Sequence, residues 1–211
     1  MPHEIDAAFL SLTLRSPTRR SPTAPGTTLP DQGIGEDVKT GVQALADALG
    51  SGKMYGVGPG SLMADFDEAI NLEFIDVVHE YKGSKLLRRD YGVAEATFSD
   101  PSEWTCRWLT IQVHRLSRSP ELIEELCASA KVTFDPYTRW EDVRQELGHL
   151  FPKVEVRRGE HLGEYQEHRI EESIAAIQVI TDPDSVRNNF PGAGDIWSVE
   201  LSAFHRSGSF M

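Results

Sequence analysis

Two glycine-rich stretches contain residue types that bind phosphate in other proteins, but both lack positions that this chemistry needs. A phosphate loop ending at Gly52-Lys53 requires a leading glycine and a final Ser or Thr, and this chain has Asp47 and Met54 there. The run from Gly56 to Gly60 is rich in glycine, but Ser61 occupies the position of the third glycine of a dinucleotide-binding turn, and no strand pattern precedes the run. We therefore interpret this region as a loop between helices.

Patterns for metal binding are equally incomplete. His79-Glu80 begins a zinc-protease signature, but Gly83 occupies the position of the second histidine. Asp182-Pro-Asp184 begins a calcium loop, but Val186 stands where an oxygen ligand is required. A looser group without a recognised ligand spacing is interpreted as a solvated surface, and comprises His161, Glu164 and His168. The sequence predicts no metal site and no cofactor.

Nucleophilic catalysis is not indicated either. Cys106 and His114 share a face of one predicted strand, but at ~3.3 Å per residue they lie roughly 26 Å apart. We expect no catalytic residues and favour a protein that is not an enzyme.

Alternation along the same strand points instead to binding. Leu109, Ile111 and Val113 form a stripe facing the core, whereas the even positions from Trp104 to His114 form an aromatic and polar face of the type enriched at protein interfaces. In the preceding strand, Tyr91, Val93, Glu95 and Thr97 are expected on this open face, and Gly92, Ala94, Ala96 and Phe98 under helices. The predicted partner-binding residues are Trp104, Trp108, Gln112, His114, Tyr91 and Glu95. The equally weighted alternative is that the tryptophans cap a hydrophobic edge or form a second core layer against the N-terminal segment.

Charge limits the classes of partner. The 211 residues include 33 acidic and 21 basic side chains, a net charge of −12, with the excess concentrated after residue 118. Such a field repels phosphate backbones and anionic membranes and favours basic partners.

No secretory signal or membrane span is recognised, which predicts a cytoplasmic protein. Cys106 and Cys127 are expected to be unpaired and buried.

The elements that position these residues follow a repeated order. Residues 15–30 are rich in Pro, Ser and Thr, which predicts a linker after a short amphipathic start. One helix should end at Gly50-Ser51-Gly52 and a second should begin at Ser61 and end at Asn71, followed by strand runs at 74–81, 86–98 and 103–115. The pattern then restarts, with a helix at Ser119-Pro120, another capped by Thr138 and stopping at Gly148, and strand runs at 154–158, 165–181 and 195–204.

An offset of 77 residues aligns the two halves, for example Ser61 with Thr138 and Phe66 with Val143. The predicted fold class is α+β, with two tandem units that each pack two helices on one face of an antiparallel β-sheet. The predicted boundaries are residues 1–35 for the N-terminal segment and linker, 36–118 for the first unit and 119–211 for the second. Chance matching of amphipathic helices is the alternative.

This element order, together with the helix start in residues 58–70, resembles the β-lactamase inhibitory protein family and its single-unit relatives, the SmpA/OmlA outer-membrane assembly lipoproteins. The segments 87–92 and 111–115 are also similar to those of actinobacterial proteins related to immunity proteins of toxin systems. These resemblances imply a binding protein whose open sheet face contacts another protein.

We therefore expect a non-catalytic protein-binding protein, most concretely an immunity protein or inhibitor that neutralises a basic toxin or enzyme. The alternative from another class is a small-molecule enzyme or ligand-binding protein with a site in the cleft between the two units. A third possibility is an assembly scaffold that binds a partner through its Pro-rich arm.

Overall fold

Helices and antiparallel strands make up most of the described chain, which comprises residues 38–81, 83–100 and 102–203 of a computed structural model. The helices are α1 (Gly41–Ser51), α2 (Met63–Ala69), α3 (Pro120–Ala130) and α4 (Trp140–Leu150). The strands are β1 (Lys39–Thr40), β2 (Ile75–Tyr81), β3 (Ser84–Asp90), β4 (Ala94–Ser99), β5 (Thr105–Ile111), β6 (Val132–Thr133), β7 (Val156–Leu162), β8 (Tyr165–Ile170), β9 (Ala175–Ile180) and β10 (Ile196–Ser202). A 3₁₀-helix, Val113–Arg115, follows β5. The α+β class is confirmed, and the predicted segment 1–35 lies outside the described residues.

One continuous sheet crosses both halves of the chain. Its strand order is β2-β3-β4-β5-β10-β9-β8-β7, with every pair antiparallel. The last strands of the two halves, β5 and β10, pair with each other at the centre, where Leu109 is opposite Leu201 and Ile111 is opposite Val199. The fold prediction gave each unit its own sheet, whereas here β5 and β10 share hydrogen bonds. This pairing satisfies two strand edges that would otherwise be exposed.

Local sequence signals predict the end of the first helix and the start of the second to within about one residue. Thr40 accepts a hydrogen bond from the backbone N–H of Gln43 (3.2 Å), the Gln43 side chain accepts one from the backbone of Thr40 (3.1 Å), and α1 ends at Gly52 with φ 71°. The predicted end of this helix is therefore confirmed. The second helix begins one residue later than predicted, because Leu62 is the N-cap and its N–H donates to the carboxylate of Asp65 (2.8 Å).

The third and fourth helices also follow the sequence signals in outline. α3 begins after the N-cap Ser119 with Pro120 in its first turn, as predicted. α4 is capped by Arg139 rather than by Thr138, which is buried, and it continues past Gly148 to Leu150. Glycine in the last turn lowers helix propensity without ending the helix when the residues around it pack.

Two runs predicted as single strands are hairpins. Residues 86–98 divide at a turn in which the carboxylate of Asp90 accepts from the N–H of Gly92 (2.8 Å), and Gly92 has φ 82°. Residues 165–181 divide between β8 and β9, where Ile174 has φ 52°. A β-branched residue with positive φ is rarely anticipated from sequence, so the second turn carried no clear signal.

Helices α2 and α4 contact the same face of the sheet. Phe66 of α2 lies edge-on to Phe98 of β4 with ring centroids 5.1 Å apart, and Trp140 of α4 lies 5.1 Å from His168 of β8. α1 packs against α4. We call this side the helical face, and the core lies between it and the helices.

The two cysteines are both unpaired, but only Cys106 is buried. Cys127 is exposed on α3, so its predicted burial is wrong; the buried face of this short helix is formed around Leu126 instead. Within the described residues no helix has the length and apolar character needed to cross a membrane.

Candidate functional site

The face of the sheet opposite the helices is the candidate site. Strand alternation places buried side chains such as Ala96 and Leu109 on the helical face and half-buried ones such as Thr97 and Trp108 on the other. We call this second side the outer face. Its central residues, taken from β4, β5, β10, β9 and β8, are Glu95, Thr97, Trp108, Thr110, Glu200, Ser202, Ala176 and Arg169.

Strand register places these residues in rows across the sheet. One row passes from Thr97 through Trp108 to Ser202, and directly opposite residues on one face are close enough for side-chain contact. The next row begins at Glu95 and passes through Thr110 to Glu200. A tryptophan thus lies beside a row containing two carboxylates at the centre of the sheet.

Ion pairs among Arg115, Asp90, Glu95 and Arg88 lie at one end of that row. Arg115 donates to both carboxylate oxygens of Asp90 (3.0 and 3.2 Å), to the carbonyl of Gly92 (2.8 Å) and to the carboxylate of Glu95. Arg88 lies 3.8 Å from the other oxygen of Glu95. With only 15% of its side chain exposed, Glu95 is held in one orientation by two cations. Its orientation is therefore fixed, and its negative charge is compensated by the two guanidinium groups.

Aromatic rings form a second cluster at the start of β10. His114 and Trp197 stack with centroids 3.9 Å apart and planes inclined by 2°, and Tyr165 lies 5.4 Å from Trp197. His114 Nδ1 also lies within hydrogen-bond distance (3.2 Å) of the carbonyl of Trp197. A register shift between Ile196 and Ser198 turns Trp197 towards Tyr165 while Ile196 remains in the core.

Burial lowers the pKa of His114 below its usual value, although the hydrogen bond with the Trp197 carbonyl opposes that shift. The guanidinium groups of Arg115 and Arg118 lower the pKa further, whereas Glu95 raises it. The imidazole is therefore predominantly neutral at neutral pH and stacks as a neutral ring.

We expect acidification from about pH 7 to about pH 5 to reduce stability through His114. Because the folded-state pKa is depressed, the unfolded chain binds the proton more readily, so the stability present above the unfolded pKa is lost as the pH falls through the folded pKa. Denaturant unfolding at the two pH values should show a smaller loss for His114→Gln than for the wild-type chain. Equal losses would contradict this assignment.

The predicted site residues are only partly brought together. Trp108 and Glu95 lie on the outer face as expected, and His114 reaches the aromatic cluster from the 3₁₀-helix. Gln112 lies just beyond β5, where its backbone N–H donates to the carbonyl of Val93 (2.7 Å).

Two predicted residues are misplaced. Tyr91 is 2% exposed and packs in the core, where burial raises the pKa of its hydroxyl to about 12. Trp104 packs against the same core. The expected open-face positions Cys106 and Val93 are also buried on the helical side.

A β-bulge explains why the predicted alternation fails for the β5 positions before Trp108. Thr97 pairs with Trp108, but the next residue, Phe98, pairs with Cys106, so Arg107 is an extra residue on β5. The period of two therefore holds from Trp108 onwards and is reversed before it. Tyr91 is misplaced for a different reason, since it belongs to the turn between β3 and β4.

Sequence reasoning missed Trp197 and Tyr165. Both lie in runs that were predicted as strands, and a tryptophan beside alternating aliphatic residues was the available signal. The long-range stacking of His114 on Trp197 depends on the pairing of β5 with β10, which that signal does not contain.

Metal-ligating side chains do not cluster among the described residues. No group of His, Cys, Asp and Glu side chains there is arranged to bind a metal ion. Burial raises the pKa of the Cys106 thiol to about 12, which keeps it protonated at neutral pH. At the junction of the two halves, β5 pairs with β10 and α1 contacts α4.

Comparison with known proteins gives no relative from which a function can be taken. A scan against protein-family models, a search of curated proteins and a search of solved structures each find no match to this chain.

Proposed function

We propose that this chain is a non-catalytic protein-binding protein, an immunity protein or inhibitor that neutralises a basic toxin or enzyme by binding it on the outer face. The observation that carries the proposal is the asymmetry of the sheet: α2 and α4 contact one face, and the other presents Trp108, Glu95 and the Trp197 cluster.

The composition of the outer face supports recognition of a protein surface. Tryptophan, tyrosine and arginine are the residue types most enriched at binding hot spots. Here Trp108 lies near the centre of the sheet, and Trp197 is fixed between His114 and Tyr165. Rigid aromatic side chains lose little conformational entropy on binding, so an ordered sheet is a favourable platform for them.

Charge supports a basic partner. The chain has a net charge of −12, and Glu95 and Glu200 lie in the same row of the outer face. Electrostatic attraction to a cationic domain would accelerate encounter and orient docking. The neighbouring Arg88 and Arg115 hold Glu95 in place, while the excess negative charge lies in the rest of the chain.

The proposal includes two tandem units that arose as repeats. Matching hydrogen bonds support it: Cys106 N–H donates to Ser61 O and Ile196 N–H donates to Thr138 O, both at 2.9 Å. The acceptors are separated by the predicted offset of 77 residues. In each half, the residues that begin a helix therefore pair with the start of the strand that reaches the centre of the sheet.

Trp108→Ala should weaken partner binding by about 2 kcal/mol or more without unfolding the chain. The natural test partner is the product of the adjacent gene, expressed alone and together with this chain. The wild-type chain should bind this product and relieve its toxicity, and Trp108→Ala should reduce both effects; isothermal titration measures the affinity.

Leu150→Ala is the matched control. Leu150 is an apolar side chain that is 41% exposed, but it lies at the end of α4, away from the outer face. It should leave affinity unchanged. Full binding by a folded Trp108→Ala variant would show that the outer face is not the binding site.

A further inference from the structure

The two edges of the eight-stranded sheet differ in how they are protected. At one edge, the pairing of β7 with β8 shifts between Arg158 and His161, and Arg157 and Arg158 are exposed. Bulges and basic side chains are devices that prevent an edge from pairing with another strand. At the other edge, β2 pairs with β3 in an unbroken register over all seven residues.

The β2 edge presents apolar side chains on both of its faces. Ile75 is 58% exposed and Val78 is 40% exposed, and alternation puts them on opposite sides of the strand. Among the described strands, β3 is the one neighbour of β2. Its outward backbone groups and these two side chains form a surface suited to another strand.

Charge indicates what that strand should carry. Residues 61–81 contain no Lys or Arg, and their six acidic side chains are Asp65, Asp67, Glu68, Glu73, Asp76 and Glu80. Arg89 binds two of them, at 2.5 Å from Asp67 and 2.8 Å from Asp76. Glu68 and Glu73 are exposed, and Lys85 approaches Glu80 only to 4.0 Å. The edge therefore keeps an acidic excess that repels a second copy of itself and attracts a cationic segment.

We propose that the β2 edge binds an extended basic segment of a partner protein by strand addition, forming a ninth strand of the sheet. Side chains of the added strand alternate between the two faces. On the helical side they would lie beside Asp76, Val78 and Glu80, and on the outer side beside Ile75 and Val77. Lys or Arg alternating with β-branched residues fits this arrangement. The site is separate from Trp108, so it goes beyond the function proposed above.

A pair of labelled peptides tests the proposal. The first is a nine-residue peptide in which Lys alternates with Val, and the second has Glu in place of each Lys. Fluorescence anisotropy with the full chain should show binding of the Lys peptide and at least roughly tenfold weaker binding of the Glu peptide. Hydrogen exchange should show protection of the amides of residues 75–81 when the Lys peptide is bound.

Val78→Lys should weaken binding of the Lys peptide by roughly tenfold or more, because it places a cation against the added strand. Leu162→Lys is the matched control, since Leu162 is 41% exposed on the opposite edge strand. Ile75→Lys provides a second test if Val78→Lys fails to fold by circular dichroism. Trp108→Ala should leave peptide binding unchanged, which separates this site from the outer face.

Three results would overturn the proposal. Equal affinity for the two peptides would show that charge does not select the occupant. Equal losses in Val78→Lys and Leu162→Lys would show nonspecific attraction. A wild-type dimer that Val78→Lys converts to a monomer would identify a second copy of the chain as the occupant.

Discussion

Arg187→Ala is expected to lower the free energy of unfolding at neutral pH by about 3 kcal/mol, because it leaves a buried carboxylate without its cation. Asp195 is 0% exposed and accepts from Arg187 Nε and Nη2 at 2.8 and 2.6 Å. The N–H of Gly192 continues to donate to it (2.9 Å), which keeps the effect at the lower end for a broken buried pair. Chemical denaturation measures the change.

An exposed pair on α4 is the matched control. Arg144 and Glu141 make similar contacts, at 2.8 and 3.1 Å, but more than half of each side chain is exposed. Arg144→Ala should therefore cost no more than about 0.5 kcal/mol. The double variant Arg187→Ala with Asp195→Asn should recover part of the loss. Similar small losses for Arg187→Ala and Arg144→Ala would show that the buried pair contributes no more than a surface pair.

The position of this pair connects stability to the proposed site. Asp195 immediately precedes β10, and its carbonyl accepts from the N–H of Ile180 at the end of β9 (3.0 Å). The ion pair thereby fixes the long β9–β10 loop at the point where β10 begins. We expect Arg187→Ala also to increase amide exchange around Trp197, since that residue follows two positions later.

Phe98→Ala should lower the free energy of unfolding by about 3–5 kcal/mol, the range for deleting a buried aromatic ring. Phe98 and Phe66 are both 0% exposed and contact each other edge to face. The deletion removes the main aromatic contact between α2 and the sheet. Denaturant midpoints and slopes determine the change.

Thr97→Ala is the natural control. Thr97 is adjacent to Phe98 on β4, but its side chain lies on the outer face and is only half-buried. It should change stability by no more than about 0.5 kcal/mol. A loss below about 1 kcal/mol for Phe98→Ala would contradict the packing of α2 on the helical face.

The sequence predicted the helices better than the strand pairing, because helix signals are local. Gly52 and the Ser119-Pro120 pair mark helix ends through the backbone requirements of a few neighbouring residues. Hairpin turns without a clear turn signal, such as the one containing Ile174, were missed. For the site, alternation placed Trp108 and Glu95 correctly and failed for Trp104, since a bulge resets the alternation and leaves no mark in the residue types.

The sequence alone determined the class of the fold, the acidic charge and the face on which Trp108 lies. Tertiary structure alone decided that β5 joins β10, that His114 stacks on Trp197 and that β2 and β7 become the edges. Each of these depends on contacts between residues far apart in the chain. A propensity or a period of two describes neighbours within one segment, whereas strand order is selected by the packing and hydrogen bonding of the complete sheet.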